Sequence, residues 1–340
     1  MINKTQNIAL KSKSSAKKTA YRKNEKNTVN VFFASDRNYL PYLSVAIQSL
    51  SAHASEKYFY DVRILSEDLT KESLFGAAGE IKPNVKISVF SVADKISHIK
   101  EELALRLRDY YSDAIYYRIF IAEMFPKLKR AVYLDSDIVL NEDVAKLYFT
   151  AIGDNIIGAV TDESVMSVDV FREYVKKHVK MKRAEDYFNS GVLVMNLEKM
   201  REEKIKDQFI NLLCKYNFKT VAPDQDYLNF LCRGKIHYLE RGWNKHAIAE
   251  NEIPREELYL MHFNMFNKPW KYGGVQNEDL FWKYAEKTCF VKVLLESKNG
   301  YDAKKQKKDS DAALKLLLTA KKIASSSGIF FRKRGKALST

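Results

Sequence analysis

Cysteine is scarce in this chain. Cys214, Cys232 and Cys289 are its three thiols among 340 residues, and none pairs in C-x-x-C spacing. So sparse and odd a count points to a reducing compartment and away from a zinc site. Long apolar runs are missing as well, so no spanning helix is expected. The basic N-terminal segment has no apolar core after its charges and does not read as a secretory leader. No internal repeat is visible. Basic residues are plentiful overall but not in the middle. Of the net charge of +14, residues 1–28 carry +7 and residues 301–340 carry +8, leaving 29–300 at −1. A neutral middle with cationic ends argues against nucleic acid as a partner and for tails that meet an anionic surface. The chain is expected to be cytoplasmic, peripheral at the inner face of the membrane.

What is present is an ordinary globular composition, 46% hydrophobic and 29% charged, able to bury a sizeable core. Residues 1–28, rich in Lys, Ser, Thr and Asn, read as a disordered basic arm. "VNVFFAS" (29–35), "YDVRILS" (60–66) and "VKISVFSV" (85–92) read as buried strands. Helical spacing follows the first of them, and "TKESLFGAAGEIK" reads as a helix after the second. Residues 113–125 are helical and lead through Pro126 into the apolar run that ends at Asp135. Further strands are expected at 155–162, 187–197 and 258–263, with helices near 167–180 and 198–216 and one opening at "PDQD". Strands separated by helices predict an α/β fold, a mainly parallel sheet covered on both faces. In such sheets ligands bind beyond the carboxyl ends of strands. Asp36, the Asp135/Asp137 pair and Asp162 stand at such ends, and Asn189 and His262 lie in or beside further strands, so five polar points are expected on one rim.

"AVYLDSDIVLNEDV" (131–144) holds the sharpest signal. A lone buried carboxylate is costly, so Asp135 and Asp137 ask for a cation, a proton or a helix terminus. The apolar strand is expected to end at this pair, with a turn at Ser136. A divalent cation held between protein oxygens and a substrate phosphate fits this pattern. An EF-hand does not, for want of the glycine and the spaced acids. An ion pair or helix cap is the bland alternative. An aspartyl-phosphate site of the haloacid-dehalogenase phosphatase kind is the chemical one, although three strands precede the motif here.

"FFASDRNYLPYLSVAIQSL", "YYRIFIAEMFPKLKRAVYLDSDIVL", "YFNSGVLVMNLEKMR", "PDQDYLNFL" and "HFNMFNKPW" together resemble, in order and spacing, the family 8 glycosyltransferases. These are retaining nucleotide-sugar enzymes of the bacterial lipooligosaccharide galactosyltransferase and glucosyltransferase type, related to glycogenin. The resemblance covers about residues 29–285. It implies a GT-A fold with a Rossmann-like central sheet over 29–290, a UDP-sugar donor, and Mn²⁺ or Mg²⁺ on Asp135, Asp137 and His262. It implies Ala34, Asp36 and Asn38 on uracil and ribose, Tyr39 stacked on the base and Ser136 beside the ribose. Arg118 would reach the donor sugar and diphosphate, and Lys268 the leaving phosphates. Asp162, Asn189 and Asp224 would meet hydroxyls of the transferred sugar, with Gln225 under the anomeric carbon. Each has a bland reading too: Asp36 or "PDQD" as helix caps, Arg118 as a solvated helix residue, His262 as a packed core histidine, and "FNSGV" as a turn in which Asn189 and Gly191 tolerate left-handed backbone.

Two positions depart from the family pattern. Met265 stands where glycine is frequent, so the diphosphate loop is expected to take a different path. Ser190 stands where alanine is frequent, which bears on sugar discrimination. The implied reaction moves glucose or galactose to a glycan, glycolipid or glycoprotein acceptor. A degenerate, inactive sugar-nucleotide-binding protein is the non-enzyme alternative. Over 291–340 the chain reads as a basic amphipathic helical tail. Ala313, Leu316, Leu317, Ala320, Ile323 and Ala324 fall on one face, suited to an anionic membrane surface.

Overall fold

The computed structural model describes residues 27–74, 76–92, 113–215, 220–248 and 252–325. The basic arm, up to residue 26, and the terminal "IFFRKRGK" lie outside the described residues. Among those described, the strands in chain order are β1 (Thr28–Ala34), β2 (Phe59–Ser66), β3 (Val85–Ser91), β4 (Arg130–Leu134) and β5 (Ile138–Leu140). They are followed by β6 (Ile157–Thr161), β7 (Phe188–Asn196), β8 (Ile236–Tyr238), β9 (Lys245–His246) and β10 (Leu260–His262). Seven form one sheet in the order β3-β2-β1-β4-β7-β6-β8, and β5-β10-β9 form a second.

Strand alternation sorts the side chains of the large sheet. Val29, Val31, Phe33, Val132 and Leu134 enter one core, while Phe32, Ala34, Ala131 and Tyr133 enter the core on the other face. Burying each large apolar side chain contributes about 1.5–3 kcal/mol, and this two-sided burial is why the strands read as unbroken apolar runs. The helix Leu40–His53 closes one face through Leu43, Ala46, Ile47 and Leu50. The helix Tyr117–Met124 covers the other with Ile119, Phe120 and Ile121.

The sheet is mainly parallel, as expected, but β7 runs antiparallel to both β4 and β6. That reversal decides where the site lies. Leu134 at the end of β4 pairs with Val192, and the Asp135 amide donates to Gly191 O at 2.8 Å. The first residues of β7 therefore meet the last residues of β4, bringing Asn189 and Ser190 to the carboxyl rim. The 70–82 stretch, expected as a helix, is helical among the described residues only over Lys71–Leu74, because Gly76 and Gly79 take left-handed backbone (φ 72° and 74°) and break the turn pattern.

Residues 291–325 pack on what precedes them. Leu294 joins a core with Trp270, Phe281 and Tyr284. The 23-residue helix Ala303–Ser325 buries Ala320, Ile323 and Ala324 against Tyr174, Val175, Val179 and Met181. Part of the apolar face that the sequence offers to a membrane is thus spent on the protein itself. Leu314 and Leu318, outside that set, remain exposed. No helix among the described residues is long and apolar enough to cross a membrane.

Candidate active site

β4 ends at Leu134 and β5 begins at Ile138, so the three residues between them leave one sheet and enter the other. The turn required at Ser136 is there, its hydroxyl donating to Ala34 O at 3.1 Å at the end of β1. Asp135 and Asp137 face the same space. β10 delivers the third member. His262 pairs with Ile138 in β5, and Phe263 N donates to Asp137 O at 2.9 Å. One ligand atom from each of Asp135, Asp137 and His262 lies within 4.8 Å of the others.

Each acid has a fixed cationic neighbour. Arg118 is buried, not a solvated helix residue. It donates to Asp135 Oδ1 at 2.9 Å and to Ser190 O at 2.5 Å, lies 3.3 Å from Asp224 Oδ2, and sits over the Tyr133 ring. Burial would make the Arg118 guanidinium more acidic, but Asp135 foremost reverses this and holds it firmly protonated. Lys268, also buried, pairs with Asp137 and donates to Phe263 O, with Trp270 beneath its ammonium. Burial would raise the Asp137 carboxyl, yet Lys268 and then His262 outweigh it and keep it well below the ordinary carboxylate range. It stays ionised at neutral pH.

A second group of polar side chains adjoins this one. Asp162 caps the short helix Glu163–Met166, Oδ1 accepting from Val165 N, while Oδ2 accepts from Asn189 Nδ2 and Gln225 Nε2, all at 2.9 Å. Gln225 is pinned at both ends, since its Oε1 accepts from Ser190 N at 2.9 Å. Ser190 Oγ donates to Asp224 Oδ2 at 3.0 Å, and burial raises the Asp224 carboxyl against the opposing pull of Arg118. The segment carrying Asp224 and Gln225 is anchored by Asp226, which is fully buried and accepts from Tyr174 OH (2.6 Å) and Tyr187 OH (2.7 Å).

The remaining residues are those expected on the nucleoside. Asp36 is a cap, Oδ1 accepting from Asn38 N at 2.9 Å and Tyr39 N at 3.0 Å. Ala34 ends β1, and Asn38 is exposed. The Tyr39 hydroxyl is pushed up by burial and then by Asp137 and Asp135, so it lies within their field, while the residue as a whole keeps 39% of its surface open. Behind it Tyr42 stacks on Trp270 at 4.0 Å.

Three features escape the sequence. Asn244, in "RGWNKHA", bridges Asn189 and His262 and belongs to no motif that flags it. Lys245 is fully buried, 3.0 Å from Glu163, which also accepts from Arg241; such a pair rests on excellent geometry to offset desolvation. Gly191 was read for left-handed backbone, but its φ is not positive. Space is its reason: a Cβ there would lie 2.4 Å from His262 Cε1. Met265 does take left-handed backbone (φ 57°), so methionine replaces glycine at that position without abandoning a glycine-like turn.

This architecture is that of the GT-A glycosyltransferases. Among solved structures, the bifunctional glycosyltransferase WbbM superposes with a TM-score of 0.66 at 23% identity, over 80% of this chain and 52% of that one. The galactosyltransferase LgtC, solved with donor and acceptor sugar analogues, gives 0.61 at 23% identity over 77% of this chain and 96% of its own. Residues 30–274 match the model of glycosyl transferase family 8, and the chain belongs to that family. A Haemophilus influenzae protein named provisionally as a glycosyltransferase is 31% identical over 253 residues, 72% of this chain and 73% of its own length. The lipopolysaccharide 1,2-glucosyltransferase of Escherichia coli K12 is 24% identical over 277 residues, 77% and 78% of the two chains. The family assignment sets aside the phosphatase alternative.

Proposed function

We propose that this chain is a metal-dependent, retaining hexosyltransferase that moves glucose or galactose from a UDP-sugar to a glycan, glycolipid or glycoprotein acceptor, forming an α linkage. The observation that carries the reading is the convergence of Asp135, Asp137 and His262 within 4.8 Å beside Lys268 and Arg118. Two carboxylates and an imidazole suit Mn²⁺, or Mg²⁺ completed by phosphate and water. Bound there, the ion would supply positive charge against a departing diphosphate.

The chain's own residues do the rest. Tyr39 offers an open aromatic face for the base, worth about 1–3 kcal/mol by analogy with nucleic-acid stacking, with Ala34, Asp36, Asn38 and Ser136 beside the nucleoside. Lys268, as a point charge, meets the phosphates. Asp162, Asn189, Ser190 and Asp224 bind and orient the sugar hydroxyls, and Arg118 offsets negative charge between sugar and diphosphate. The bond from the anomeric carbon to the phosphate oxygen breaks with its electron pair staying on phosphate. The acceptor hydroxyl attacks from the same face, and its proton passes to the departing phosphate. Front-face attack is favoured because Asp162 and Asp224 are tied to Asn189, Gln225, Ser190 and Arg118, which blunts either as a nucleophile. Gln225, held at both ends, acts by position and dipole. A trapped covalent sugar adduct at Gln225 or a nearby carboxylate would overturn this route.

The same reading takes the Ala303–Ser325 helix to an anionic membrane surface. Leu314 and Leu318 are each 54% exposed, and Lys304, Lys307, Lys308, Lys315, Lys321 and Lys322 on that helix are exposed as well. Each cationic side chain near an anionic bilayer adds about 1 kcal/mol.

The test of the catalytic reading is release of UDP from a panel of UDP-sugars, with and without Mn²⁺, in wild type and Asp137→Asn. Turnover of one donor that needs metal and falls at least about 100-fold in the variant is expected, as for loss of a group that stabilises the transition state. Metal-independent turnover, or full activity in Asp137→Asn, would contradict it.

A further inference from the structure

Between the Asp–Asp–His group and the sugar-facing carboxylate runs a chain of amides whose direction can be deduced. It begins at a backbone N–H, which cannot be turned around. Gly191 N donates to Asn189 Oδ1 at 2.9 Å, so the Asn189 oxygen faces Gly191 and its NH₂ faces Asp162 Oδ2, also at 2.9 Å. Asn189 Oδ1 receives a second donor, Asn244 Nδ2, at 2.9 Å. With its nitrogen committed there, Asn244 turns its oxygen to His262 Nδ1 at 2.8 Å. An amide oxygen only accepts. Nδ1 of His262 therefore carries a proton, and Nε2 faces Asp137 Oδ1 at 3.2 Å and Asp135 Oδ2 at 3.8 Å.

The reverse orientation is penalised twice. Flipping Asn244 would set its oxygen against Asn189 Oδ1 and its NH₂ against the ring nitrogen, and the proton would move to Nε2, blocking it as a ligand. All three side chains are buried: Asn189 at 6% exposure, Asn244 at 0% and His262 at 2%. Water is therefore poorly placed to repair a broken link, and an unmet polar group there is costly. The ring itself is seated on Gly191, where a side chain would collide with it.

We infer that Asn244 is a positioning residue that fixes His262 in the Nδ1-protonated tautomer, leaving Nε2 free to complete a divalent-cation site. Through Asn189 the same chain ties that site to Asp162 and hence to Gln225. The inference rests on the metal-dependent reading above and adds to it a residue that touches neither metal nor donor. Partners that orient a ligating histidine commonly account for 10–100-fold in metal affinity.

Two measurements on the full chain test it. Mn²⁺ affinity without nucleotide is read from the EPR signal of free Mn²⁺ in wild type, Asn244→Ala and Asn244→Asp, with melting curves in metal-free buffer as the control for folding. Asn244→Ala is expected to bind Mn²⁺ 10–100-fold more weakly. Asn244→Asp, which still accepts from Nδ1–H, is expected to recover much of that loss. In metal-free wild type, ¹⁵N NMR of labelled histidine should show one buried ring protonated on Nδ1, with that signal changed in Asn244→Ala. Unchanged affinity in folded Asn244→Ala would overturn the inference and leave the proposed function standing, as would a His262 in wild type whose Nδ1 carries no proton. The NMR result decides the matter if the alanine variant fails to fold. Absence of Mn²⁺ binding by wild type would overturn both readings.

Discussion

A Cβ on Gly191 would lie 2.4 Å from His262 Cε1 and 2.7 Å from Asp135 Oδ2. Neither neighbour can retreat freely, because His262 is held by Asn244 and Asp135 by Arg118 and Tyr133. Gly191→Ala should therefore destabilise the fold by about 1–3 kcal/mol, as overpacking does, and displace two of the three candidate ligands. Denaturant midpoints and Mn²⁺ titration would show both effects; an alanine variant with native stability and native affinity would contradict this geometry. Much of the site was legible at the residue scale, because acids and amides in apolar strands stand out against their neighbours. Asn244 was not, since nothing in its own context marks it and its importance arises from two partners distant in sequence. The need for glycine at 191 was not legible either, since crowding by a side chain from another element leaves no local trace.

At the scale of elements, the parallel strands could be read in advance, and the two arrangements that position the chemistry could not. The apolar runs and their spacing suffice for β1 to β4 and the covering helices. The reversal of β7 could not be read, because a strand buried on both faces has the same composition in either direction. Nor could the three-stranded β5-β10-β9 sheet, two of whose strands have three residues and the third only two. Yet that small sheet sets His262 against Asp137. The helix Pro223–Leu231 carries Asp224, Gln225 and Asp226 in its first turns. Burial, opposed by the Tyr174 and Tyr187 hydroxyls, pushes the Asp226 carboxyl up to about 6. The folded state thus binds this proton more tightly than the unfolded chain. The stability it contributes is full below the ordinary carboxylate range and is lost as pH rises through about 6. Asp226→Asn should flatten the difference in melting temperature between pH 4 and pH 7 relative to wild type; an undiminished difference would assign it to other groups. For the Ala303–Ser325 helix, truncation near residue 300 would also uncover Tyr174 and Val175, so substitution is the cleaner probe. Leu314→Gln with Leu318→Gln should reduce flotation with anionic liposomes while leaving Mn²⁺ affinity intact. Unchanged flotation would leave that exposed stripe without a role at the membrane.

For the molecule as a whole, the basic charge lies at the two ends and the sheet rim in the neutral middle, so the proposed surface binding and the proposed chemistry would be separate. The order of five short motifs identified the family; any one of them alone has a bland reading, and the cap reading of Asp36 also holds in the structure. Asp36 is a cap, and Asp162 is a cap that also orients Asn189 and Gln225. Structural and chemical duties are shared by the same atoms, so capping and chemistry do not compete as explanations here. What the sequence could not supply was the way these groups hold one another, since that depends on β7 and the small sheet meeting at the end of β4. The central claim is that Asp135, Asp137 and His262 bind the cation that engages the donor diphosphate. Its most direct test is diffraction from crystals grown with Mn²⁺ and UDP, recorded at the manganese absorption edge. The account expects one strong anomalous peak within coordinating distance of both carboxylates and His262 Nε2, with diphosphate oxygens completing the shell and Lys268 against them. A manganese peak elsewhere, or UDP bound away from these residues, would contradict it.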